Sequence, residues 1–409
     1  MIAHRSPAGV VPHVAIVCPA LGGGGAVANV ALRHAQLLSG RFRVTLMSES
    51  FPDADVPLVD CYRLHPPCFN VLRRFAHVPN ELALTLAARQ ALKALAIHDS
   101  LVMVICHGHP LAALAARPLR ATLGVPYALV THGDIFDRPV GTYDARLTWF
   151  YRRMTPSAYR DAALVVALSP YMAELAIRGG ADGPAVVLIP NGIDPAEIGL
   201  DADSNATEPP SDKGRLELLY VGRVSVEKGV DVLIEAAGRL RASEVLFRLR
   251  IVGSGPQLSR LQGRNMALGL SEYVEFCEPM PRQRLGELYR SSHLVCVPSR
   301  SDPLPTVVLE AMVSARPVLG SNVGGIPFMV RDGETGWLVP AGDATALAER
   351  AITLSGDRAG MAQAGQAARR DAAVRFSWSA TGEQLVAAIM HVMDKTQIGP
   401  ALEDQEVKR

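Results

Sequence analysis

The segment Leu216-Glu-Leu-Leu-Tyr-Val-Gly-Arg-Val-Ser-Val-Glu-Lys-Gly229 is an apolar run that ends in a glycine-bounded loop carrying Arg223 and Lys228. A short apolar run closed by a turn signal predicts a buried strand. Comparable runs follow, separated by longer helical stretches: Phe247–Val252, Val274–Cys277, Leu294–Pro298 and Pro317–Gly320. This alternation predicts an α/β domain, in which helices cover both faces of a parallel sheet.

The same pattern precedes this segment. Six apolar runs predict strands of a second sheet: His13–Cys18, Arg43–Met47, Leu101–Cys106, Tyr127–Thr131, Leu164–Leu168 and Ala185–Ile189. A chain of 409 residues exceeds the roughly 250 to 300 residues that one core sustains, which also favours two domains. We therefore predict an N-terminal domain over 1–197 and a C-terminal domain over 215–375.

The segment between the two domains, 198–214, has few large apolar side chains and contains Pro209-Pro210, which predicts a linker or surface loop. After the second set of strands, Ala344 to about Lys395 is rich in Ala and Leu and predicts helices, interrupted at Ser355-Gly356 and around Phe376-Ser-Trp-Ser379.

Composition excludes several functional classes. The formal net charge is +1, so no basic field points to a nucleic-acid partner. The six cysteines form no CxxC pair, which argues against a metal site or a disulfide framework. No stretch has the length of a signal peptide or a membrane span, so we expect a cytoplasmic protein. The aromatic and arginine-rich segment 146–160 predicts either peripheral contact with an anionic membrane surface or an ordinary helix with a solvated basic side.

Candidate site residues follow the predicted strands. Open α/β sheets bind ligands at the carboxyl ends of their strands, where Arg223 and Lys228 would lie. A guanidinium and an ammonium together suit a diphosphate. In Pro298-Ser-Arg-Ser-Asp-Pro-Leu-Pro-Thr-Val-Val-Leu-Glu-Ala-Met312, the carboxylates of Asp302 and Glu310 are eight residues apart. Glu310 lies in an apolar helix and needs hydrogen-bonding partners, which sugar or ribose hydroxyls would supply.

The N-terminal domain offers a glycine loop, Gly22 to Gly25, directly after its first strand. Such a loop suits an anion. It also matches the GxGxxA pattern of dinucleotide sites, with Glu49 placed to hold a ribose hydroxyl, and a tight structural turn is a third interpretation. His132 follows a predicted strand and suits a polar contact with a sugar. His107-Gly-His109 follows another strand, where acceptor contact and packing at the edge of the core are both open and a His-x-His metal site is less well supported.

Taken together, these segments resemble the retaining glycosyltransferases of family 4, which have the GT-B fold. In that family two glutamates frame the Asp302–Glu310 segment, the first contacting the transferred sugar and the second the donor ribose. Gly22 to Gly25, Gly222-Arg223 with Lys228-Gly229, Thr131-His-Gly-Asp134, Asn191-Gly-Ile-Asp194, Gly253-Ser-Gly-Pro256 and Phe376-Ser-Trp378 are similar to further motifs of the family, in the same order.

The resemblance implies two facing Rossmann-like, doubly wound domains with the active site in the cleft between them. It also implies a C-terminal helix, 376–395, that packs back onto the N-terminal domain. This chain departs from the family pattern at three places: Asp302 replaces the first glutamate, Leu304-Pro305 replaces Phe-Gly, and Phe328 stands where a glutamate normally follows Pro327. The sugar specificity of the family therefore does not carry over.

The resemblance thus implies a retaining, nucleotide-sugar-dependent hexosyltransferase. We expect catalytic roles for Arg223, Lys228, Asp302 and His132. We expect donor contacts from Glu310, Gly23, Gly24, Gly253, Pro305, Thr306 and Val307, and acceptor-side contacts from His107, His109 and Asn191. The expected partners are a nucleotide diphosphate sugar and a saccharide or lipid-linked acceptor, in polysaccharide or glycoconjugate biosynthesis. No cofactor and no metal are expected, because no DxD-like carboxylate pair follows a strand.

Two hypotheses from other classes remain. A nucleotide-sugar-binding partner subunit with weak or no catalysis would fit the changes at Asp302, Leu304 and Phe328. An NAD-dependent oxidoreductase would fit the glycine loop and Glu49, but it gives no role to Arg223 and Lys228.

Overall fold

The computed structural model describes residues 11–18, 21, 25–51, 56–65, 78–98, 100–108, 111–133, 145–200 and 214–396. The chain forms two compact units: Met1–Pro190 together with Thr381–Arg409, called unit 1 below, and Asn191–Ala380, called unit 2. Each unit contains one parallel β-sheet with helices between its strands. The predicted α/β architecture with two doubly wound domains is confirmed.

In unit 1 the strands and helices alternate along the chain. The strands are β1 His13–Val17, β2 Arg43–Ser48, β3 Asp60–Arg63, β4 Leu101–Gly108, β5 Tyr127–Thr131, β6 Leu164–Ala167 and β7 Val186–Leu188. The helices are α1 Ala26–Ser39, α2 Val78–His98, α3 Leu111–Leu123, α4 Ala145–Arg160 and α5 Pro170–Arg178. Helix α5 begins where the Ser169 hydroxyl accepts a hydrogen bond from Met172 N at 3.3 Å and Pro170 occupies the first turn.

The sheet of unit 1 has the strand order β3-β2-β1-β4-β5-β6-β7, and all its neighbours pair in parallel. Strands β1 and β4 are buried along nearly their whole length because helices cover both faces, as continuous apolar runs require. The chain leaves β1 toward β2 on one side and later returns to β4 on the other. Strands β1 and β4 therefore flank a switch point of the sheet, and open α/β sheets bind ligands at such points.

Unit 2 repeats this plan. Its strands are β8 Leu216–Val221, β9 Phe247–Val252, β10 Val274–Cys277, β11 Leu294–Val297, β12 Val318–Ser321 and β13 Gly336–Val339. Its helices are α6 Val230–Ala242, α7 Leu258–Ala267, α8 Leu285–Arg290, α9 Thr306–Val313, α10 Ile326–Met329, α11 Ala344–Ser355 and α12 Arg358–Arg375. Short 3₁₀ turns precede β8, α6 and α8 at Pro195–Ile198, Val226–Lys228 and Arg282–Arg284.

The sheet of unit 2 has the order β10-β9-β8-β11-β12-β13, again parallel throughout. Its switch point lies between β8 and β11, so the loop that carries Arg223 and Lys228 and the loop that carries Asp302 leave neighbouring strands. The core consists of aliphatic side chains from the central strands and from α6 and α11, with Leu218, Leu233 and Leu347 each at most 2% exposed.

All eleven strands predicted from apolar runs are present, and the structure adds β3 and β13. Strand β3 lies at the sheet edge with all four of its residues exposed, so it has no apolar run to reveal it. The predicted interruptions of the helical tail are confirmed, because α11 ends at Ser355 and α12 ends at Arg375.

A last helix, α13 Trp378–Thr396, joins unit 1 from Thr381 onward. There the Thr381 hydroxyl donates to the Pro190 carbonyl at 2.9 Å, and Gly382 lies against Leu37 of α1. Of the predicted linker 198–214, residues 201–213 lie outside the described residues, whereas Ile198 and Leu200 are buried in unit 2. Among the helices the structure describes, none has the length and apolarity needed to cross a membrane.

Candidate functional site

Glycines bring the loops at the carboxyl edge of unit 2 into direct backbone contact. Gly253 has φ +145, and a Cβ there would collide with the carbonyl oxygen of Gly222, in the loop after the neighbouring strand. Gly229 has φ +67, and a Cβ there would collide with the carbonyl oxygen of Pro298. Only glycine combines this backbone conformation with so close an approach. Gly253, predicted to contact the donor, lies where it sets the spacing of the loops.

Lys228 and Asp302 meet across the two central loops. Lys228 ends the 3₁₀ turn Val226–Lys228, and its Nζ donates to Asp302 Oδ2 at 2.5 Å. The Asp302 side chain is 5% exposed and that of Lys228 is 31% exposed. Burial raises the pKa of Asp302, and Lys228, the largest opposing influence, only partly offsets this effect. The two residues predicted to bind the diphosphate and the sugar are therefore direct partners.

Arg300 fixes the position of the Asp302 loop. Its guanidinium forms a two-pronged ion pair with Asp231 at 2.7 Å for each bond, and its Nη1 also donates to the Val226 carbonyl at 2.9 Å. The backbone N–H of Arg300 donates to the Glu227 carbonyl at 2.8 Å. These bonds tie the Asp302 loop to the Lys228 loop along several residues, so the Lys228–Asp302 pair rests on a rigid support.

Glu310 has protein partners for both carboxylate oxygens. Arg282 donates to Oε1 from Nε at 3.1 Å and from Nη2 at 2.7 Å, and the Tyr289 hydroxyl donates to Oε2 at 2.7 Å. Glu310 itself is 4% exposed on α9. The sequence predicted that this buried carboxylate would need hydrogen bonds, and the structure supplies them from the 3₁₀ turn Arg282–Arg284 and from α8.

A second acid lies beyond Arg282. Arg282 Nη1 donates to Glu197 Oε2 at 2.9 Å, and Glu197 Oε1 accepts a hydrogen bond from Trp378 Nε1 at 2.6 Å. Close by, the backbone N–H of Ile193 donates to the Phe376 carbonyl at 2.8 Å. The Glu310 carboxylate is thus connected, within unit 2, to the segments at both ends of that unit.

The other residues of unit 2 that were predicted to contact the donor border this edge. Arg223 is exposed and forms no ion pair with any described residue. Pro305 precedes the first turn of α9, where Thr306 and Val307 are partly exposed and no side chain caps the helix. Asn191, predicted to lie on the acceptor side, is buried at the start of unit 2. Gly23, Gly24 and His109 lie outside the described residues.

The two predicted histidines of unit 1 lie together, with a third beside them. His107 is the penultimate residue of β4 and His132 follows β5, and His107 Nδ1 lies 3.1 Å from His132 Nε2. His34 of α1 packs edge-on against His107, with ring centroids 5.0 Å apart. Burial lowers the pKa of His34 to about 3 and that of His132 to about 4, so both rings are neutral near pH 7. Among the described residues, no group of three His, Cys, Asp or Glu side chains is arranged to hold a metal.

Phe328 occupies the position at which the family pattern has a glutamate. The Arg375 guanidinium lies 4.9 Å from its ring centroid, and Phe376 packs against it edge-on at 5.9 Å. Arg375 also donates to the Phe328 carbonyl at 2.5 Å and to Asp371 at 2.8 Å. A cation–aromatic contact therefore stands where the family would place a carboxylate.

Sequence reasoning missed four residues: Arg282, Tyr289 and Glu197, which form the hydrogen-bond network around Glu310, and His34, which packs against His107. None of them lies in a glycine-rich loop or directly after a strand, which were the signals we used. The one available hint was Glu310 itself, because a buried carboxylate implies a cation or donors elsewhere in the chain.

Two family models together cover most of the chain. Residues 23–197 match the model described as Glycosyltransferase Family 4, and residues 201–371 match the model described as Glycosyl transferases group 1.

Among curated proteins, the chain is similar to proteins named D-inositol 3-phosphate glycosyltransferase. That of Nocardia farcinica is 41% identical over 175 residues, which cover 41% of this chain and 38% of the relative. That of Corynebacterium efficiens is 32% identical over 251 residues, which cover 57% of this chain and 58% of the relative. These matches span less than two thirds of each relative's own length.

Solved structures share the fold. A sucrose-phosphate synthase from Thermosynechococcus elongatus has a TM-score of 0.76 at 22% identity and covers 94% of this chain and 100% of its own. HepE of Anabaena, solved in complex with UDP and glucose, has a TM-score of 0.70 at 18% identity and covers 92% of this chain and 99% of its own.

Proposed function

The chain belongs to glycosyltransferase family 4, and from this membership we propose that it is a retaining transferase, which moves a hexose-type sugar from a nucleotide diphosphate donor to a saccharide or lipid-linked acceptor. The reaction would serve polysaccharide or glycoconjugate biosynthesis. We further propose that the protein works in the cytoplasm, with peripheral contact at the inner membrane surface when its acceptor is lipid-linked.

One observation carries the proposal: two cationic side chains border the switch point of unit 2, and one of them forms no ion pair with any residue that the structure describes. Arg223 is exposed and unpaired among the described residues, and Lys228 reaches the neighbouring loop. A diphosphate carries concentrated negative charge that a guanidinium fork and an ammonium group complement. The charge of Arg223 acts on nearby Glu227 without forming an ion pair with it, so the guanidinium can also contact a ligand.

We assign the chemistry as follows. As the bond from the sugar to the diphosphate breaks, negative charge develops on the leaving phosphate, and Arg223 and Lys228 stabilise it. A leaving phosphate oxygen takes the proton of the acceptor hydroxyl, which attacks on the face that the diphosphate leaves, so the anomeric configuration is retained. Exclusion of water protects the donor from hydrolysis. No metal or other cofactor has a role in this scheme.

The carboxylates divide the remaining donor contacts. Asp302 lies beside Lys228, so its carboxylate can accept hydroxyls of the transferred sugar while the ammonium group meets the phosphate. Glu310 contacts the nucleotide ribose, and the neutral His132 contacts the sugar. Asp302→Asn should therefore impair sugar transfer more than nucleotide binding, and Glu310→Ala should do the reverse. Equal loss of nucleotide binding in both variants would contradict this division.

The acceptor is assigned to unit 1, with His107 and His109 as candidate contacts; Asn191, the third residue predicted for the acceptor side, belongs to unit 2. The named activity of the curated relatives makes D-inositol 3-phosphate a rational acceptor to test, alongside oligosaccharide and lipid-linked acceptors. The neutral histidine cluster in unit 1 suits uncharged hydroxyl groups, because it offers donors and acceptors without a fixed charge.

A second candidate is a nucleotide-sugar-binding partner subunit with little catalysis. The contacts of Phe328 with Arg375 and Phe376 favour it, because they occupy a place where the family pattern has a carboxylate. Its sign would be donor binding without turnover on any acceptor.

A thermal-shift panel tests the proposal without knowledge of the acceptor. UDP, GDP, ADP and NAD(H), with the sugar conjugates of the nucleotides, would be compared at equal concentration. A ligand at 100 times its dissociation constant stabilises the folded state by about 2.7 kcal/mol. We expect one nucleotide diphosphate series to stabilise the chain and Arg223→Ala to lose the effect. Stabilisation by NAD(H) alone would instead support the oxidoreductase hypothesis.

A further inference from the structure

The buried carboxylate of Glu310 accepts three hydrogen bonds from protein side chains. Two N–H groups of Arg282 donate to one of its oxygens, Oε1, and the Tyr289 hydroxyl donates to the other, Oε2. An ionised carboxylate offers about four lone-pair positions, two on each oxygen. By this count Oε1 is saturated, and Oε2 has one position left for a further donor.

Arg282 is itself fixed in place. Its third hydrogen bond, from Nη1 to Glu197 at 2.9 Å, points away from Glu310, and Trp378 holds the far oxygen of Glu197 at 2.6 Å. Burial acts to lower the pKa of Arg282, but Glu310 and Glu197 outweigh it and raise the pKa above its usual value. The guanidinium is therefore a permanent charge, and each of its three nitrogens donates a hydrogen bond to a carboxylate.

Tyr289 completes the arrangement. Its side chain is fully buried, and burial together with Glu310 raises its pKa well above the ordinary value, so its hydroxyl remains a donor. Because a rigid ring carries this hydroxyl, its hydrogen bond to Oε2 opposes a rotation of the Glu310 carboxylate that would exchange its two oxygens.

We propose that Arg282 is a positioning residue for the nucleotide: it saturates Oε1 of Glu310, so that Glu310 accepts a single ribose hydroxyl through Oε2. This inference rests on the proposed function, in which Glu310 contacts the ribose. It predicts a specificity that the role of Glu310 alone does not: the protein distinguishes the two ribose hydroxyls from each other. Removal of one hydroxyl weakens binding, and removal of the other has little effect.

The experiment is a set of calorimetric titrations with the nucleotide diphosphate that stabilises the wild-type chain, and with its 2′-deoxy and 3′-deoxy analogues. A hydrogen bond to a charged group contributes enough for about a tenfold loss of affinity with one analogue, and we expect less than a threefold loss with the other. In Arg282→Leu the two analogues should bind within about twofold of each other, because the carboxylate is no longer oriented. Arg282→Lys keeps the charge and should restore part of the affinity, with weaker discrimination than the wild type.

Arg284→Leu is the matched control, because Arg284 is exposed in the same 3₁₀ turn and should leave discrimination unchanged. If Arg282→Leu does not fold, Trp378→Phe replaces it: this variant removes the indole N–H that donates to Glu197, and it should reduce the discrimination. Equal losses with both analogues in the wild type, or undiminished discrimination in the Arg282 and Trp378 variants, would overturn the inference. A wild-type chain that binds no nucleotide diphosphate at all would instead overturn the proposed function.

Discussion

The two units place polar side chains at the same topological position, after the central strands of a parallel sheet, but they use opposite electrostatics. Unit 2 has permanent charges there: Lys228 paired with Asp302, and Arg282 paired with Glu310. Unit 1 has three packed histidines, of which His34 and His107 are at most 1% exposed. Burial lowers the pKa of each of the three, so this cluster carries no charge near neutral pH.

The difference has a consequence for ligands. A charged edge can complement an anion, because cations set on a rigid backbone need not reorganise when the ligand arrives. A neutral edge offers hydrogen bonds without attracting or repelling charge, which suits sugar hydroxyls. Both units thus have the same type of fold, and the residues that follow the strands decide whether a unit suits an anion or uncharged hydroxyl groups.

The largest expected effect concerns the charged edge of unit 2. Lys228→Met leaves the Asp302 carboxylate buried without its cation, and breaking a buried pair commonly costs about 3 to 5 kcal/mol. Because Lys228 is 31% exposed, we expect a free energy of unfolding reduced by about 3 kcal/mol, measured by urea denaturation.

The double variant Lys228→Met with Asp302→Asn separates stability from chemistry. It removes the unpaired charge, so it should recover most of the lost stability while remaining at least about tenfold less active than the wild type. Lys93→Met, an exposed lysine of α2, serves as the control. If the single variant is as stable as the wild type, the pair does not hold the loops together.

The neutral edge of unit 1 predicts a pH dependence of stability. The pKa of His34 is about 3 in the folded chain, against 6.5 for an ordinary histidine. Its folded pKa is depressed, so the unfolded state binds more protons, and stability that is present above pH 6.5 is lost as the pH falls toward 3. From pH 8 to pH 5 this loss amounts to about 2 kcal/mol from His34 alone.

His34→Leu removes the titrating group and should therefore lose about 2 kcal/mol less than the wild type over the same interval. Urea titrations of both proteins at pH 8 and pH 5 measure this difference. Parallel pH dependences would show that His34 accepts a proton without unfolding, and the contrast between the two edges would then be weaker than the structure indicates.

A smaller effect is expected for the exposed cation of unit 2. Arg223→Ala should lower turnover at least about tenfold, equivalent to about 1.4 kcal/mol of transition-state stabilisation. Its melting temperature should not change, because the Arg223 side chain is exposed and pairs with no described acid. Arg239→Ala, at an exposed position of α6, is the matched control. Unchanged kinetics in Arg223→Ala and in Lys228→Met would refute the assignment of these residues to the diphosphate.

Much of the fold follows from sequence because its strands are buried on both faces. A run such as Leu101–Cys106 can be identified as a strand without knowledge of the strands it pairs with. Continuous apolar residues between turn signals are typical of a central parallel strand. Strand β3 could not be predicted in this way, because its residues are exposed and it forms only by pairing along β2. An exposed edge strand forms because a neighbouring strand pairs with it, and the pattern of apolar residues along the chain does not show this pairing.

The same limit applies to the site. Asp302 and Glu310 could be identified as candidates because a loop and a helix of recognisable pattern carry them. The pairing of each carboxylate could not be predicted, since Lys228 is 74 residues from Asp302 and Arg282 is 28 residues from Glu310 along the chain. His34 presents the same difficulty, because it joins the histidine cluster from the middle of an amphipathic helix.

The smallest expected effect is that of a chelator. A divalent ion would need carboxylate or imidazole ligands, and at the charged edge the two buried carboxylates are already engaged by Lys228 and Arg282. An ion that displaced Lys228 from Asp302 would also remove the ammonium group assigned to the diphosphate. We therefore expect activity to stay within about twofold of its starting value in excess EDTA, a change of less than about 0.5 kcal/mol in the barrier. Abolished activity that magnesium or manganese restores would mean that a metal, rather than these cations, neutralises the leaving group. In that case the charged edge of unit 2 would differ from the neutral edge of unit 1 by an ion rather than by its side chains.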